Sequence, residues 1–116
     1  MSVLQRIQDA LSDLTQNGAF EFYEGEYPNN GANFCGKIVF TGKDKPIRFM
    51  GQAMPLEIET FKVVIRGNSY RDLEDMADKV SKLISAEFIQ IGGYENIEPE
   101  QSEHFMQLAV NFKVIG

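Results

Sequence analysis

Few residues of this chain have side chains suited to catalysis, and they lie far apart. His104 and Cys35 are the single histidine and the single cysteine of the sequence. A nucleophilic triad would have to include His104, yet no motif of the G-x-S-x-G type places a serine for attack. One cysteine and one histidine without matching ligand spacing indicate neither a zinc site nor a Cys–His pair. We therefore expect no catalytic residues and interpret His104 as part of a loop.

Carboxylates are more numerous, and two groups of them could serve acid–base chemistry or a metal ion. One group lies on a predicted helix and the other in a predicted loop: Asp72, Glu74, Asp75 and Asp78; Glu95, Glu98, Glu100 and Glu103. The helical group fits a solvated face, because Asp75 and Asp78 have lysines four residues further on. The loop group lacks the D-x-[DN]-x-[DN]-G pattern of a calcium loop, and no phosphate-binding glycine motif occurs in the chain. We expect no bound metal and no cofactor.

The length and composition are those of one soluble domain. The 116 residues are 43% hydrophobic and 24% charged, so residues 1–116 should form a single core. No stretch approaches the roughly 18 consecutive apolar residues of a membrane span, and residues 1–15 lack the continuous apolar core of a signal peptide. A lone cysteine agrees with synthesis in a reducing cytoplasm. We expect no membrane partner.

The charge of the chain argues against tight binding of nucleic acid. The net charge is −6 and the isoelectric point is about 4.7, whereas affinity for nucleic acid comes largely from Lys and Arg on phosphates. The 11 basic residues are scattered, with no basic cluster or RNA-binding aromatic motif. An acidic protein of this kind can lie beside DNA without holding it.

The hydrophobic spacing predicts an alternation of helices and strands that would have to position any site. Helices are predicted at Ser2–Thr15 and Tyr70–Ile84, and strands at Phe20–Tyr23, Gly36–Thr41, Leu56–Arg66, Phe88–Ile91 and Phe105–Ile115. Gly42 should close the second strand and Gly92-Gly93 the fourth. Long loops are predicted at Glu24–Cys35, Lys43–Pro55 and Tyr94–His104, with Ile47–Pro55 as either a short strand or an ordered loop.

The clearest junction is Gly67-Asn68-Ser69, where a period of two residues gives way to a helical period. Ser69 is placed to cap the following helix, and Asp72 stands three residues further on. The last strand alternates most cleanly, and its apolar face indicates a position inside the sheet, because an unpaired apolar edge invites aggregation. The order α-β-β-β-α-β-β predicts an α+β, two-layer domain: a mainly antiparallel sheet with two helices packed on one face.

The long loops make binding a better hypothesis than catalysis. The loop Lys43–Pro55 carries Phe49, Met50 and Met54 with few local partners. Long loops in a compact domain are often functional, and exposed aromatic and methionine side chains favour protein–protein contact. Packing of this loop on its own core remains the alternative.

Most of the chain resembles a known family. The strand LEIETFKVVIRG, the turn NSY and the helix RDLEDMADKVSKLI, followed by Gly-Gly and the closing strand FMQLAVNFKVIG, resemble the small minor capsid and tail-terminator proteins of tailed bacteriophages. The amphipathic N-terminal helix is also similar to that family. These motifs are structural patterns rather than catalytic signatures.

The resemblance implies a structural protein of the virion, made in the cytoplasm of the bacterial host and without an active site. It implies a homo-oligomeric ring, commonly of six subunits, at the head-proximal end of the tail. One face would dock on the tail tube and stop its growth, and the other would meet the head connector. DNA would pass without specific binding, since an acidic wall repels phosphate. The expected assembly residues are Phe49, Met50 and Met54 in one loop, and Tyr94, Glu95, Glu98 and Glu100 in another.

Two other functions stay open from the sequence. A head-completion or other neck protein of the same virion would share the resemblance. A small cytoplasmic ligand-binding or regulatory α+β domain would instead enclose an apolar pocket and remain a monomer or dimer.

Overall fold

The fold is an α+β domain of two layers, as the hydrophobic spacing predicts. The structure, a computed structural model, describes residues 3–16, 20–28, 33–44, 48–49, 52–53, 58–97 and 106–115. The helices are α1 (Val3–Ala10), α2 (Ser12–Thr15) and α3 (Tyr70–Glu87). The strands are β1 (Phe22–Glu24), β2 (Cys35–Asp44), β3 (Arg48–Phe49), β4 (Gln52–Ala53), β5 (Ile58–Gly67), β6 (Ile89–Ile97) and β7 (Met106–Ile115).

One five-stranded sheet organises the domain, in the order β1-β2-β5-β7-β6. The pairs β2–β5, β5–β7 and β7–β6 are antiparallel, and the short β1 joins β2 in parallel. The last strand of the chain therefore lies between two neighbours, which confirms its predicted interior position. Within the predicted loop Lys43–Pro55, Lys43 and Asp44 belong to β2, whereas β3 and β4 form a separate two-stranded sheet in which Phe49 pairs with Gln52.

The junction between β5 and α3 has the predicted structure. The Ser69 hydroxyl accepts a hydrogen bond from the Asp72 backbone N–H at 3.4 Å, and Ser69 itself has extended backbone angles. This is the geometry of an N-cap, which satisfies one of the backbone donors left free at a helix start. The helix continues to Glu87, three residues beyond the predicted end at Ile84.

The prediction of one N-terminal helix over Ser2–Thr15 is wrong in one respect, because the helix breaks at Leu11. Leu11 has φ −94° and ψ 4°, which interrupts the regular α conformation. The Leu14 N–H then bonds to the Leu11 carbonyl at 3.0 Å, a tighter i to i−3 turn. Ile7 and Leu11 are both fully buried, so the apolar stripe continues across the break.

Two strands extend further than predicted, and in both cases an irregularity lets the pairing resume. β2 continues past Gly42 to Asp44 because its pairing with β5 shifts register between Phe40 and Gly42. β6 continues through Gly92-Gly93 to Ile97 because a similar shift lies between Ile91 and Tyr94. Gly92 has φ +66°, a conformation that glycine adopts readily and that suits a bulge.

The core lies between α1, α3 and one face of the sheet. Phe112 on β7 is fully buried at its centre, with the Phe61 ring 6.0 Å away and the Phe88 ring 5.7 Å away. Four residues of α3 close the core from above: Leu73, Ala77, Val80 and Ile84. The helices therefore cover one face of the sheet and leave the opposite face to other contacts.

Candidate functional site

The sheet face that points away from the helices, called the open face below, divides into two halves with different surroundings. Alternation along the strands places Lys62, Val64 and Arg66 of β5 on this face, and the register places residues of β7 and β6 beside them. The half near Arg66 is buried, whereas the half near Lys62 is not.

The buried half is covered by the segment that leaves β1. The Tyr27 ring lies there with the Arg66 guanidinium carbon 4.2 Å and the Lys37 Nζ 4.6 Å from its centroid. The Tyr27 hydroxyl also lies 3.3 Å from Gln107 Oε1, to which it donates a hydrogen bond. A cation close to a ring face is favourable, because the ring face carries partial negative charge. These contacts hold the crossing segment on the sheet.

Cys35 lies in this covered half and is fully buried. Burial raises the pKa of the Cys35 thiol, and the neighbouring Arg66 opposes that rise without cancelling it. A thiol in this setting is neutral and inaccessible, which is the opposite of a nucleophile. The structure therefore gives Cys35 a packing role.

The uncovered half presents three exposed isoleucines next to two lysines. Ile89, Ile91 and Ile115 are 51%, 39% and 43% exposed. Lys113 pairs directly with Ile89 across β7 and β6, and Ile115 follows two residues later on the same face. Lys62 lies one strand further in, opposite Asn111, which is itself opposite Ile91. We call this cluster, Ile89, Ile91, Ile115, Lys62 and Lys113, the Ile–Lys face.

The lysines of the Ile–Lys face are not engaged by acidic neighbours within the part of the chain that the structure describes. Glu95, a carboxylate on the same face of β6, accepts a hydrogen bond from Asn111 Nδ2 at 3.0 Å. Lys62 and Lys113 are diagonal neighbours on β5 and β7, and the Cα atoms of such residues lie about 7–8 Å apart. The face therefore has an apolar edge bordered by positive charge.

A second surface lies on the other side of the same edge strand. Tyr94 projects towards α3, is 41% exposed, and donates a hydrogen bond from its hydroxyl to Asp78 Oδ1. Burial against α3 raises the pKa of Tyr94, and the hydrogen bond and charge of Asp78 raise it further, with a smaller contribution from Glu74. Tyr94, Asp78 and Glu74 form an aromatic and acidic cluster, which we call the Tyr94 patch.

The sequence-predicted assembly residues meet different outcomes. Tyr94 and Glu95 were expected together in a loop, but both lie in β6 and point to opposite faces, because they pair with Val110 and Ala109 in turn. Phe49 lies in the short β3 strand. Met50, Met54, Glu98 and Glu100 lie outside the described residues.

The Ile–Lys face was missed by the sequence analysis. Ile89 and Ile91 were read as part of a short strand, and nothing local indicates that this strand ends the sheet. The available signal was the polar side chains, Lys62 and Lys113 among them, that alternate with apolar ones in β5 and β7 and mark a face that the helices do not cover.

Other kinds of site have little support in the described residues. No group of three or more His, Cys, Asp or Glu in the described ranges is placed to hold a metal ion. A groove of about 260 Å³ is lined by Gln8, Thr15, Glu21, Phe22 and Tyr23 beside β1, and it is open to solvent. Across the described part of the chain, no helix has both the length and the apolar character needed to cross a membrane.

Comparisons with known proteins add no assignment. No protein-family model matches the chain, and a search of curated proteins finds no match. The surface chemistry and the sequence resemblance therefore carry the functional argument.

Proposed function

We propose that this protein is a structural component of a bacteriophage virion, a tail terminator that forms a ring at the head-proximal end of the tail tube. In that position it stops tail growth and joins the tail to the head connector. The observation that carries the proposal is the Ile–Lys face, an exposed apolar surface at the edge of a well-packed sheet.

An exposed cluster of large aliphatic side chains favours a protein partner. Ile89, Ile91 and Ile115 are neighbours on one face, whereas apolar residues on a monomer's surface are ordinarily scattered. The nine-residue β6 also lies at one end of the described sheet, where its outer backbone groups are available for contact. Assembly would bury both features.

The charge of the chain agrees with a ring through which DNA passes. A net charge of −6 repels the phosphate backbone, so DNA can slide where a basic wall would retain it. The helix layer supplies much of this charge, with Asp72, Glu74, Asp75 and Asp78 all exposed on α3.

Tail length tests the function directly. Deleting the gene from its phage or prophage genome should give overlong tails that do not join heads, as seen by negative-stain electron microscopy. Tails of normal length without joined heads would instead identify a head-completion or neck protein. Normal virions after deletion would contradict both functions.

Complementation of the deletion then tests the surface. The wild-type gene should restore tail length and joining, and Ile91→Asp should not, because a carboxylate would enter the apolar contact. Met106→Asp is the matched control: Met106 is 38% exposed, close to the 39% of Ile91, but lies at the start of β7, away from the Ile–Lys face. Full complementation by a folded Ile91→Asp protein would show that this surface has no part in assembly.

A further inference from the structure

The Ile–Lys face and the Tyr94 patch lie on opposite sides of one edge strand, and their chemistry is complementary. Lys62 and Lys113 border the apolar face on one side of β6. Glu74 and Asp78 border the Tyr94 ring on the other side, where α3 meets the strand. Because the sheet separates the two surfaces, one copy cannot bring its own pair together.

We propose that the Ile–Lys face of one copy binds the Tyr94 patch of the next copy, so that the two surfaces form the repeating contact of the ring. The inference rests on the proposed function and names the residues through which the copies join. Because the two surfaces differ, two joined copies still have one unbound Ile–Lys face and one unbound Tyr94 patch, to which further copies can bind. Such head-to-tail contacts give a closed ring when the rotations between successive copies add up to a full turn.

The protein already contains the contact geometry that this interface requires. The Tyr27 ring has two cations close to it, the Arg66 guanidinium carbon at 4.2 Å and the Lys37 Nζ at 4.6 Å from the ring centroid, on the covered half of the same sheet face. Tyr94 of a neighbouring copy would meet Lys62 and Lys113 on the uncovered half in a similar way. Its ring would cover the isoleucines, and the two carboxylates would reach the two lysines.

Charge favours a second copy over nucleic acid as the occupant. The face offers two lysines that form no ion pair with a carboxylate among the described residues, since Glu95 bonds to Asn111, within a chain of net charge −6. Nucleic acid would gain two phosphate contacts and be repelled by the rest of the surface. The acidic Tyr94 patch has the matching number of opposite charges and an aromatic centre.

Carbodiimide cross-linking of assembled wild-type tails tests the contact without any substitution. The reagent joins a lysine to a carboxylate in direct contact, so peptides linking Lys62 or Lys113 to Glu74 or Asp78 are expected. Assembly from an equal mixture of ¹⁴N- and ¹⁵N-labelled protein should give such links with mixed labels. Mixed-label links found only between other residues would overturn the inference.

Charge exchange tests the same contact by function. Lys62→Glu with Lys113→Glu should reduce joined tails at least about tenfold, as should Glu74→Lys with Asp78→Lys, because each brings like charges together. The variant with all four substitutions restores opposite charges across the contact and should recover most of the joined tails. Lys43→Glu with Lys79→Glu, an equal charge change at exposed positions outside both surfaces, should have little effect.

The outcomes separate the inference from the proposed function. Normal tails after gene deletion would contradict the tail-terminator function itself. The inference alone would be overturned if deletion gives overlong tails but the folded variant with all four substitutions yields no more joined tails than either double variant. Loss of binding to a DNA fragment on Lys62→Glu with Lys113→Glu, without loss of joining, would assign the face to nucleic acid and also overturn it.

Discussion

Replacing Gly36 by alanine should destabilise the protein because there is no space for a methyl group at that position. A Cβ at Gly36 would lie 2.7 Å from Phe22 Cδ1, 2.8 Å from Phe22 Cε1 and 3.2 Å from the Val64 carbonyl oxygen. The shortest of these is roughly 0.7 Å closer than ordinary carbon–carbon contact begins. Phe22 has limited freedom to retreat, since its ring packs edge-on against Phe20 at 5.0 Å.

The expected cost follows from overpacking. Inserting a methyl group into a packed contact costs about 1–3 kcal/mol, and the higher strand preference of alanine offsets about 0.5–1 kcal/mol of this. We therefore expect Gly36→Ala to lower the free energy of unfolding by up to about 2.5 kcal/mol. Urea unfolding followed by far-UV circular dichroism measures this change, because the chain contains no tryptophan.

A control variant and a double-mutant cycle identify the cause. Gly93→Ala should be neutral or slightly stabilising, because a Cβ there has no atom within 4 Å and alanine has the higher strand preference. In a Phe22→Ala background the clash with the ring is gone and only the 3.2 Å contact with the Val64 carbonyl oxygen remains, so Gly36→Ala should cost clearly less than in the wild type. The steric argument is wrong if Gly36→Ala costs the same in both backgrounds, or no more than Gly93→Ala.

Three further predictions concern the helix cap, the thiol and the edge strand. Ser69→Ala should lower the free energy of unfolding by about 0.5–2 kcal/mol and Ser69→Asp should largely preserve it; equal losses would contradict the cap. Cys35 should resist iodoacetamide at pH 8 in native buffer and react in denaturing urea, because burial raises the pKa of its thiol and blocks access; rapid labelling of the folded protein would contradict this. The raised pKa of Tyr94 stabilises the fold below the ordinary tyrosine pKa of about 10, and this contribution is lost as pH rises through the folded-state pKa. The free energy of unfolding of Tyr94→Phe should therefore fall less than that of the wild type in alkaline solution. Identical pH profiles of the two proteins would contradict this contribution of Tyr94.

The parts of the fold that the sequence predicts well depend on local rules. The Gly67-Asn68-Ser69 junction joins a period of two to a helical period within a few residues, so both the strand end and the helix cap were predictable. The interior position of β7 followed from its uninterrupted alternation and fully apolar face. Each conclusion needed only neighbouring residues.

The errors arise where pairing across the sheet overrides a local signal. Gly92-Gly93 normally marks the end of a strand, yet β6 resumes pairing with β7 after a bulge because four further partners follow, from Tyr94 to Ile97. Gly42 was misread for the same reason in β2. At Leu11 the prediction of a buried apolar position is correct, but the prediction of an unbroken helix is wrong. Hydrophobic spacing indicates which residues share a face and does not show that the helix is continuous.

The candidate site was harder to predict because it depends on strand order. The sequence places Ile89 and Ile91 in a short strand without indicating their exposure, and they are exposed because β6 lies at the end of the described sheet, beyond β7. Tyr94 was selected from the sequence for its loop position, whereas the structure places it in a strand against α3. Its selection as an assembly residue stays a prediction.

An electron cryomicroscopy map of the head-proximal end of the assembled tail would show whether this chain closes the tail. We expect a closed ring of copies of this chain on the last ring of the tail tube. Within it, Ile89, Ile91 and Ile115 of each copy should be buried against its neighbour. A tail end closed by a different protein, or a ring of this chain in which those isoleucines remain exposed, would contradict it.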